Sequence, residues 1–188
     1  MAAEPVIDVA EALSRASALR PVALQLRVLE PLHVLTVRHL PGADAAWLRA
    51  LAMPQLPEPG CWVGDDTLQL LWRSASEVTL VTQQTPRLAA LQAALRPGAD
   101  PLAYAVDRSP GTLGIELAGP ALEALLARLM DASAVPAKVG RATRARCADI
   151  AVVLLRLAPQ QLQLLVDRPL AGHLGAWLLR AAMASLTE

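Results

Sequence analysis

"GRATRARCADIAVVLLRLAPQQLQLLV", residues 140–166, reads as a β-hairpin led in by three arginines. Its two apolar runs, "ADIAVVLLRL" (148–157) and "QLQLLV" (161–166), are rich in Val, Leu and Ile and flank Ala158–Pro159–Gln160. Ahead of them stand Arg141, Arg144 and Arg146. Arg144 and Arg146 are two apart and share a face if the chain is extended there. Ile150, Val152 and Leu154 continue that parity into the core, so the guanidinium groups are expected on the loop and at the solvent-facing mouth of the strand. One reading makes them a solvated edge that discourages sheet-to-sheet association, with Asp149 as a local ion partner. The other makes them a contact for an anion or an acidic partner surface, because the planar guanidinium fork binds carboxylates bidentately.

Working outward, "PLAGHLGAWLLRAAMASL" (169–186) is a long helix with Leu170, Leu174, Trp177, Leu178 and Ala181 expected on one face. Upstream, "LAYAVDRS" (102–109) and "TLGIELAG" (112–119) are strands around a turn at Pro110–Gly111. "PALEALLARLMDA" (120–132) is a helix whose stripe is Leu122, Leu125, Leu126 and Leu129. In the first half, "VALQLRVL" (22–29) and "LHVLTVRHL" (32–40) are two strands joined near Glu30–Pro31. A short helix is expected over 43–53 after Pro41–Gly42, and "PQLPEPG" (54–60) is a loop or hinge, since proline blocks both helix and ladder. "CWVGDDTLQLLW" and "EVTLVTQ" are strands with turns at Gly64–Asp66 and Arg73–Ser76. "TPRLAALQAALR" (85–96) is a helix opened by Thr85 and Pro86 and ended by Pro97–Gly98.

The order strand–helix–strand–strand–helix–strand predicts an α+β fold, with antiparallel sheets and helices packed on one face in a ferredoxin-like arrangement. Residues 1–20 are expected as a flexible N-terminal arm, 21–100 as a first α+β subdomain and 101–188 as a second, or the two together as one compact unit. The second half repeats the logic of the first, without an exact internal repeat.

The chain has 188 residues, 54% of them hydrophobic, with no Phe and five other aromatic residues, Trp47, Trp62, Trp72, Trp177 and Tyr104. The core is therefore built from Leu, Val and Ala. Trp47 and Trp177 sit on apolar helix stripes and are expected in the core, as are Trp62 and Trp72 beside a strand pair. Of 17 basic residues, 16 are Arg and one is Lys138, against 17 acidic residues. From residue 138 onward seven bases meet three acids, a local excess that favours an anionic ligand or an acidic partner surface. It is too weak for a nucleic-acid stripe and no nucleic-acid motif accompanies it, so no nucleic-acid partner is expected. Cys61 and Cys147 have no nearby Cys or His, which argues against zinc; one disulfide is the alternative to the expected two buried free thiols of a reducing compartment. No signal peptide and no membrane span are recognisable, so a soluble cytoplasmic protein is expected.

The chemistry is sparse. No glycine-rich phosphate loop, nucleophile elbow or metal motif is found, and no catalytic residue and no metal ligand is assigned. His33 and His39 are read as surface or half-buried polar residues, His173 as solvent-edge packing, and Asp65–Asp66 as a turn.

From Tyr104 onward the sequence resembles the gamma subunit of heterotetrameric sarcosine oxidase. "AVDRSPGTLGIELAGP" (105–120) is similar to the family's Val-Asp-x-Ser, turn, alternating strand and Gly-Pro pattern, here Val106, Asp107, Ser109, Gly119 and Pro120, with Leu125–Leu126 following. "GRATRARCADIAVVLLRL" resembles its arginine-bearing lead into a strand. "LLVDRPLAGHLGAWL" resembles its ending, with Pro169 for Ser, Gly175 for the first Trp, and Trp177 kept. Upstream, Leu71, Trp72, Glu77, Leu80 and Val81 fit the family, while Ser74, Ala75, Ser76 and Val78 depart from it. The resemblance implies a folate-binding, aminomethyltransferase-like fold. It implies a non-catalytic subunit of a complex that oxidatively demethylates an N-methyl amine. Alpha, beta and delta subunits are the partners. Tetrahydrofolate, FAD, FMN and NAD belong to the complex and none is bound by this chain alone. On that footing the anion met by Arg141, Arg144 and Arg146 is an acidic patch of the alpha-type partner or the polyglutamate tail of a folate. The alternatives are a free-standing folate-binding or aminomethyltransferase-like protein and a scaffold without a small ligand.

Overall fold

The computed structural model describes residues 8–19, 23–40, 47–49, 51–53, 55–96 and 102–184. In chain order the elements are α1 (Val9–Leu19), β1 (Gln25–Leu29), β2 (His33–His39), β3 (Trp62–Gly64), β4 (Leu68–Ser74), β5 (Glu77–Thr82), α2 (Thr85–Ala94), β6 (Ala103–Asp107), β7 (Thr112–Ala118), α3 (Leu122–Leu126), β8 (Ala142–Cys147), β9 (Ile150–Ala158), β10 (Gln161–Asp167) and α4 (Ala171–Ala184). Of the helix expected over 43–53, residues 47–49 are helical and 51–52 form a turn. Residues 43–46 and 50, together with Pro41–Gly42, Pro97–Gly98 and residues 185–186, lie outside the described residues.

Two antiparallel five-stranded sheets result, ordered β1-β7-β10-β9-β8 and β3-β4-β5-β2-β6. The chain divides into two compact units around them: one of Met1–Leu29, Gly111–Val139 and Thr143–Glu188, the other of Glu30–Pro110 and Gly140–Ala142. The α+β, ferredoxin-like expectation holds, and the two sheets share one plan. Strands β2, β4, β5 and β6 are laid side by side as β4-β5-β2-β6, with β3 added at one edge. Strands β7, β9, β10 and β1 are laid as β9-β10-β7-β1, with β8 added at the corresponding edge.

The first unit corrects two readings. The stretch expected as a loose arm contains α1, which begins where Asp8 Oδ1 accepts hydrogen bonds from the N–H groups of Ala10 (2.9 Å) and Glu11 (3.2 Å). Ala12, Leu13 and Ala16 of α1 are buried, and its partner is α4. Strand β1, expected beside β2, pairs instead with β7 in the other sheet: Leu26 lies opposite Leu117 and Val28 opposite Ile115. Alternation reveals a strand but not its partner, because every strand with one apolar face carries the same signal. The boundary expected at residue 20 therefore moves to residue 29, and the boundary at 100 moves past β6. Across this sheet, rows such as Val28–Ile115–Leu164–Leu154 lie on the face covered by α1, α3 and α4. Helix α3 is shorter than expected, yet its stripe of Leu122, Leu125, Leu126 and Leu129 is buried as read. In the turn beyond its end, the Leu129 carbonyl accepts from the Ala148 N–H (2.8 Å).

In the second unit, Leu35, Val37, Leu68, Leu70, Val78, Leu80 and Ala103 of the sheet pack with Trp47, Leu48 and Leu51, and with Leu91 of α2. Trp47 is buried as expected. The Asp65 turn is confirmed in detail: Oδ1 accepts from the N–H groups of Thr67 (2.7 Å) and Leu68 (3.1 Å) and from the Thr67 hydroxyl (2.6 Å). Those donors, the Thr67 hydroxyl first, hold the carboxyl below its ordinary range. Among the described residues, no helix is long and apolar enough to cross a membrane.

Two tests address the first unit. Arg156 of β9 keeps only 4% of its side chain exposed and donates to Pro136 O (2.8 Å), Pro159 O (2.9 Å) and Glu123 Oε1 (2.5 Å). Glu123 is 62% exposed and stays hydrated when the pair is broken. In urea denaturation Arg156→Ala is expected to cost about 2–4 kcal/mol, through lost packing and the buried Pro136 carbonyl left without its donor. Glu123→Gln is expected to cost no more than about 1 kcal/mol. Equal costs would contradict this division.

Cys61 and Cys147 are both free thiols, the second of them buried. Burial pushes the Cys147 thiol up from 9.0 to about 11. Its unfolded-state proton is lost first, so the stability it confers is full below pH 9.0 and falls as pH rises toward about 11. The loss is at most about 3 kcal/mol. Cys147→Ala is expected to show a shallower alkaline limb than the wild type, and parallel pH profiles would refute it.

Candidate functional site

Strand β8 carries two of the three arginines singled out by the sequence. Its burial alternates: Ala142 and Cys147 are buried, Thr143 and Ala145 half-buried, Arg144 and Arg146 exposed. The parity expected from Ile150, Val152 and Leu154 is reversed by the turn. Ala148 (φ 48°) and Asp149 (φ 63°) both adopt left-handed backbone, the geometry of a two-residue type I′ hairpin turn. Such a turn sets residue 147 across from residue 150 rather than continuing one strand. Buried Cys147 and Ile150 thus share the core face, and exposed Arg146 and Ala151 share the other. The arginines therefore stand on an edge strand of the sheet itself, not on a loop before it. The hairpin expected around Ala158–Pro159–Gln160 is present as β9–β10, and β8 extends it to three strands.

Arg146 leans onto the turn. Its Nη2 donates to Asp149 O (2.6 Å), and Nε lies 3.7 Å from Asp149 Oδ1. Arg144 makes no hydrogen bond or ion pair among the described residues. Two guanidinium groups on one strand face, two residues apart, are separated at their bases by roughly 7 Å, a spacing suited to two carboxylates or a divided anion. Arg141 does not join them: it belongs to the second unit, where it forms an antiparallel bridge with Cys61, and its Nη1 donates to Cys61 Sγ (3.2 Å).

Sequence reasoning missed a second feature, on α4. Trp177, expected in the core, is 40% exposed, and Leu170 is exposed as well. The buried arc of α4 is Ala171, Leu174, Gly175, Leu178, Leu179, Ala181 and Ala182. Gly175 sets that arc, since a Cβ there would stand 3.2 Å from Val9 Cγ2 of α1, so the helix turns its glycine side inward and Trp177 outward. Outside, the Trp177 Nε1–H donates to His173 Nε2 (3.1 Å) and the Arg180 guanidinium carbon lies 4.5 Å from the indole ring centre. The spacing 173, 177, 180 is the signal that could have revealed this outward stripe. Of the other histidines, His33 Nε2 meets Thr85 Oγ1 at 3.2 Å, while His39, expected at the surface or half-buried, is buried and packs on Trp47, 6.1 Å between ring centres. Trp62 and Trp72 are half-buried.

Among the described residues, no group of three or more His, Cys, Asp or Glu comes together. The β5–α2 and β10–α4 connections contain no glycine. After β7, Gly119 (φ +122°) is required by the chain itself: a Cβ there would stand 2.4 Å from Ala23 O, so that space is filled by backbone rather than offered to a phosphate. Arg144 and Arg146 stand exposed on one face of β8.

No protein-family model matches the sequence, and no curated protein matches it. Solved structures do. A chain of the heterotetrameric sarcosine oxidase from Corynebacterium sp. U-96, in complex with pyrrole 2-carboxylate, is 26% identical. It superposes with a TM-score of 0.80 over 94% of this chain and 93% of that one. The glycine cleavage system aminomethyltransferase T from Bartonella henselae shares the fold at 14% identity and a TM-score of 0.60, over 89% of this chain and 48% of that one. The fold is thus that of a sarcosine oxidase subunit, related to the aminomethyltransferase fold.

The outward tryptophan gives a direct test. The indole N–H donates to His173 Nε2, so removing the imidazole leaves the indole to solvent and to Arg180 alone. The Trp177 contribution to fluorescence, taken as wild type minus Trp177→Phe, is expected to shift when the same difference is taken in a His173→Ala background. A Trp177 signal unchanged by His173→Ala would show that the pair does not control the indole.

Proposed function

We propose that this chain is a non-catalytic gamma-type subunit of a sarcosine-oxidase-like complex for oxidative demethylation of an N-methyl amine. It docks on an aminomethyltransferase-like alpha subunit, with beta and delta subunits completing the assembly in the cytoplasm. The observation that carries this reading is the near end-to-end superposition on a sarcosine oxidase chain of similar length at 26% identity. In this reading flavins, NAD and tetrahydrofolate are held by the partners. This chain contributes a folded surface and two exposed arginines on β8. Arg144 and Arg146 then meet an acidic patch of the alpha-type subunit or the polyglutamate tail of a folate, and Arg141, engaged with Cys61, is left out of that contact. The runner-up is a free-standing folate-binding protein, favoured by the likeness to the aminomethyltransferase fold.

Co-expression with the flavoprotein subunits of the same genome separates these readings. The expected outcome is one co-eluting complex with sarcosine-dependent turnover, while the chain purified alone shows neither flavin absorption nor turnover. Arg144→Ala/Arg146→Ala is expected to weaken assembly or folate binding about tenfold at low salt, with less effect at high salt, where such contacts are screened. Tight tetrahydrofolate binding by the chain alone, with no co-elution, would favour the runner-up. A double variant that assembles and binds folate like the wild type at low salt would reduce the arginines to a solvated edge.

A further inference from the structure

The two sheets present four edge strands, β1, β8, β3 and β6, and an edge strand with open backbone groups is a template for another strand. Three are guarded. On β1, the Ser17 hydroxyl takes both backbone groups of Leu26, accepting from its N–H (2.7 Å) and donating to its carbonyl (3.0 Å). On β3, residues 140–142 run alongside: Trp62 N–H donates to Gly140 O (2.8 Å) and Ala142 N–H to Gly60 O (3.0 Å). On β8, exposed Arg144 and Arg146 place charge on the edge.

Strand β6, the counterpart of β1 in the shared plan, has no such guard. Leu40 N–H donates to Leu102 O (2.9 Å) and Arg108 N–H to Val34 O (2.7 Å), which fixes the rungs to β2 at even-numbered residues. Ala103, Ala105 and Asp107 therefore turn their backbone N–H and C=O groups outward, where no described residue meets them. "AYAVD" has no Lys, Arg or Pro to discourage pairing. One face of this edge exposes Leu40 (56%), Leu102 (40%), Tyr104 (45%) and Val106 (39%), with Arg38 of β2 beside Tyr104.

We infer that β6 pairs antiparallel with β6 of a second copy of this chain, joining two five-stranded sheets into one of ten. The strand is self-complementary in the register that uses its whole length. A two-fold axis through Ala105 sets Ala105 opposite its own copy and Ala103 opposite Asp107. That closes roughly six main-chain hydrogen bonds. In the same register Tyr104 faces Val106 of the second copy, twice, as an aromatic against a β-branched residue. No like charges are opposed, and Leu102 faces the aliphatic stem of Arg108. Pairing by an unrelated strand would leave this match of 104 with 106 without a cause. The inference does not depend on the sarcosine-oxidase reading.

Sedimentation velocity on the full chain over a range of concentrations tests it, with amide exchange at Ala103, Ala105 and Asp107. A concentration-dependent dimer is expected, with protection at those three amides rising alongside it. Tyr104→Lys/Val106→Lys and Tyr104→Glu/Val106→Glu, all at exposed positions, are each expected to weaken dimerisation at least tenfold while circular dichroism stays native. Mixing the two variants is expected to restore the dimer, because the introduced lysines then face the introduced glutamates. A wild type that stays monomeric, a dimer that persists in either variant, or a mixture that stays monomeric would each overturn the inference. If the wild type is monomeric but the variants lose assembly with sarcosine-oxidase-like subunits, the edge receives a partner's strand instead.

Discussion

The pairing of β1 with β7 is the contact on which the first unit depends. Strands β7, β10, β9 and β8 follow one another within the second half of the chain, but their sheet lacks the strand that should lie on the far side of β7. The N-terminal part supplies it, with Leu26 against Leu117 and Val28 against Ile115. Helix α1 comes with it, packed on α4 at Gly175 and fastened to β1 by Ser17. In the second unit the corresponding strand, β6, follows α2 directly in the sequence. The same plan is thus built once from consecutive elements and once with its outer strand brought from elsewhere in the chain.

Strands were legible because they alternate or run apolar between turn residues, and every strand read over residues 102–119 and 148–166 is present. What alternation lacks is partner information. Strands β1 and β2, adjacent in sequence, went to different sheets because their apolar rows match Leu117 and Ile115 in one case and Val78 and Leu80 in the other. Residues 9–19 do not announce a packed helix because two of the buried positions, Ala12 and Ala16, are small and carry little periodic signal, although Ala12 meets Gly175 closely. The parity of Arg144 and Arg146 was correct within β8 but was carried through a turn whose two left-handed residues, Ala148 and Asp149, carry no glycine or asparagine to announce it. Trp177 was misplaced because an apolar stripe does not say which of its borders meets the core.

These corrections bear on function. Three exposed features stand out on the described residues: a cationic strand edge at β8, a braced indole on α4, and a strand edge at β6. Under the proposed function they are surfaces for assembly. Arg156, by contrast, is consumed inside the first unit, where it ties β9 to the carbonyls of Pro136 and Pro159. A count of arginines alone does not distinguish these roles. Burial and partners do, and they divide the basic C-terminal part into one buried clamp and a set of exposed groups.

The account rests on the N-terminal strand being an integral part of the first sheet, since the superposition over nearly the whole chain requires it. Native-state hydrogen exchange of the β1 amides measures this directly. The account expects them to exchange with the same free energy of opening as those of β9 and β10, in a single global unfolding. Rapid exchange of β1 while β9 and β10 remain protected would contradict it, and would return residues 8–29 to the status of a loosely attached arm.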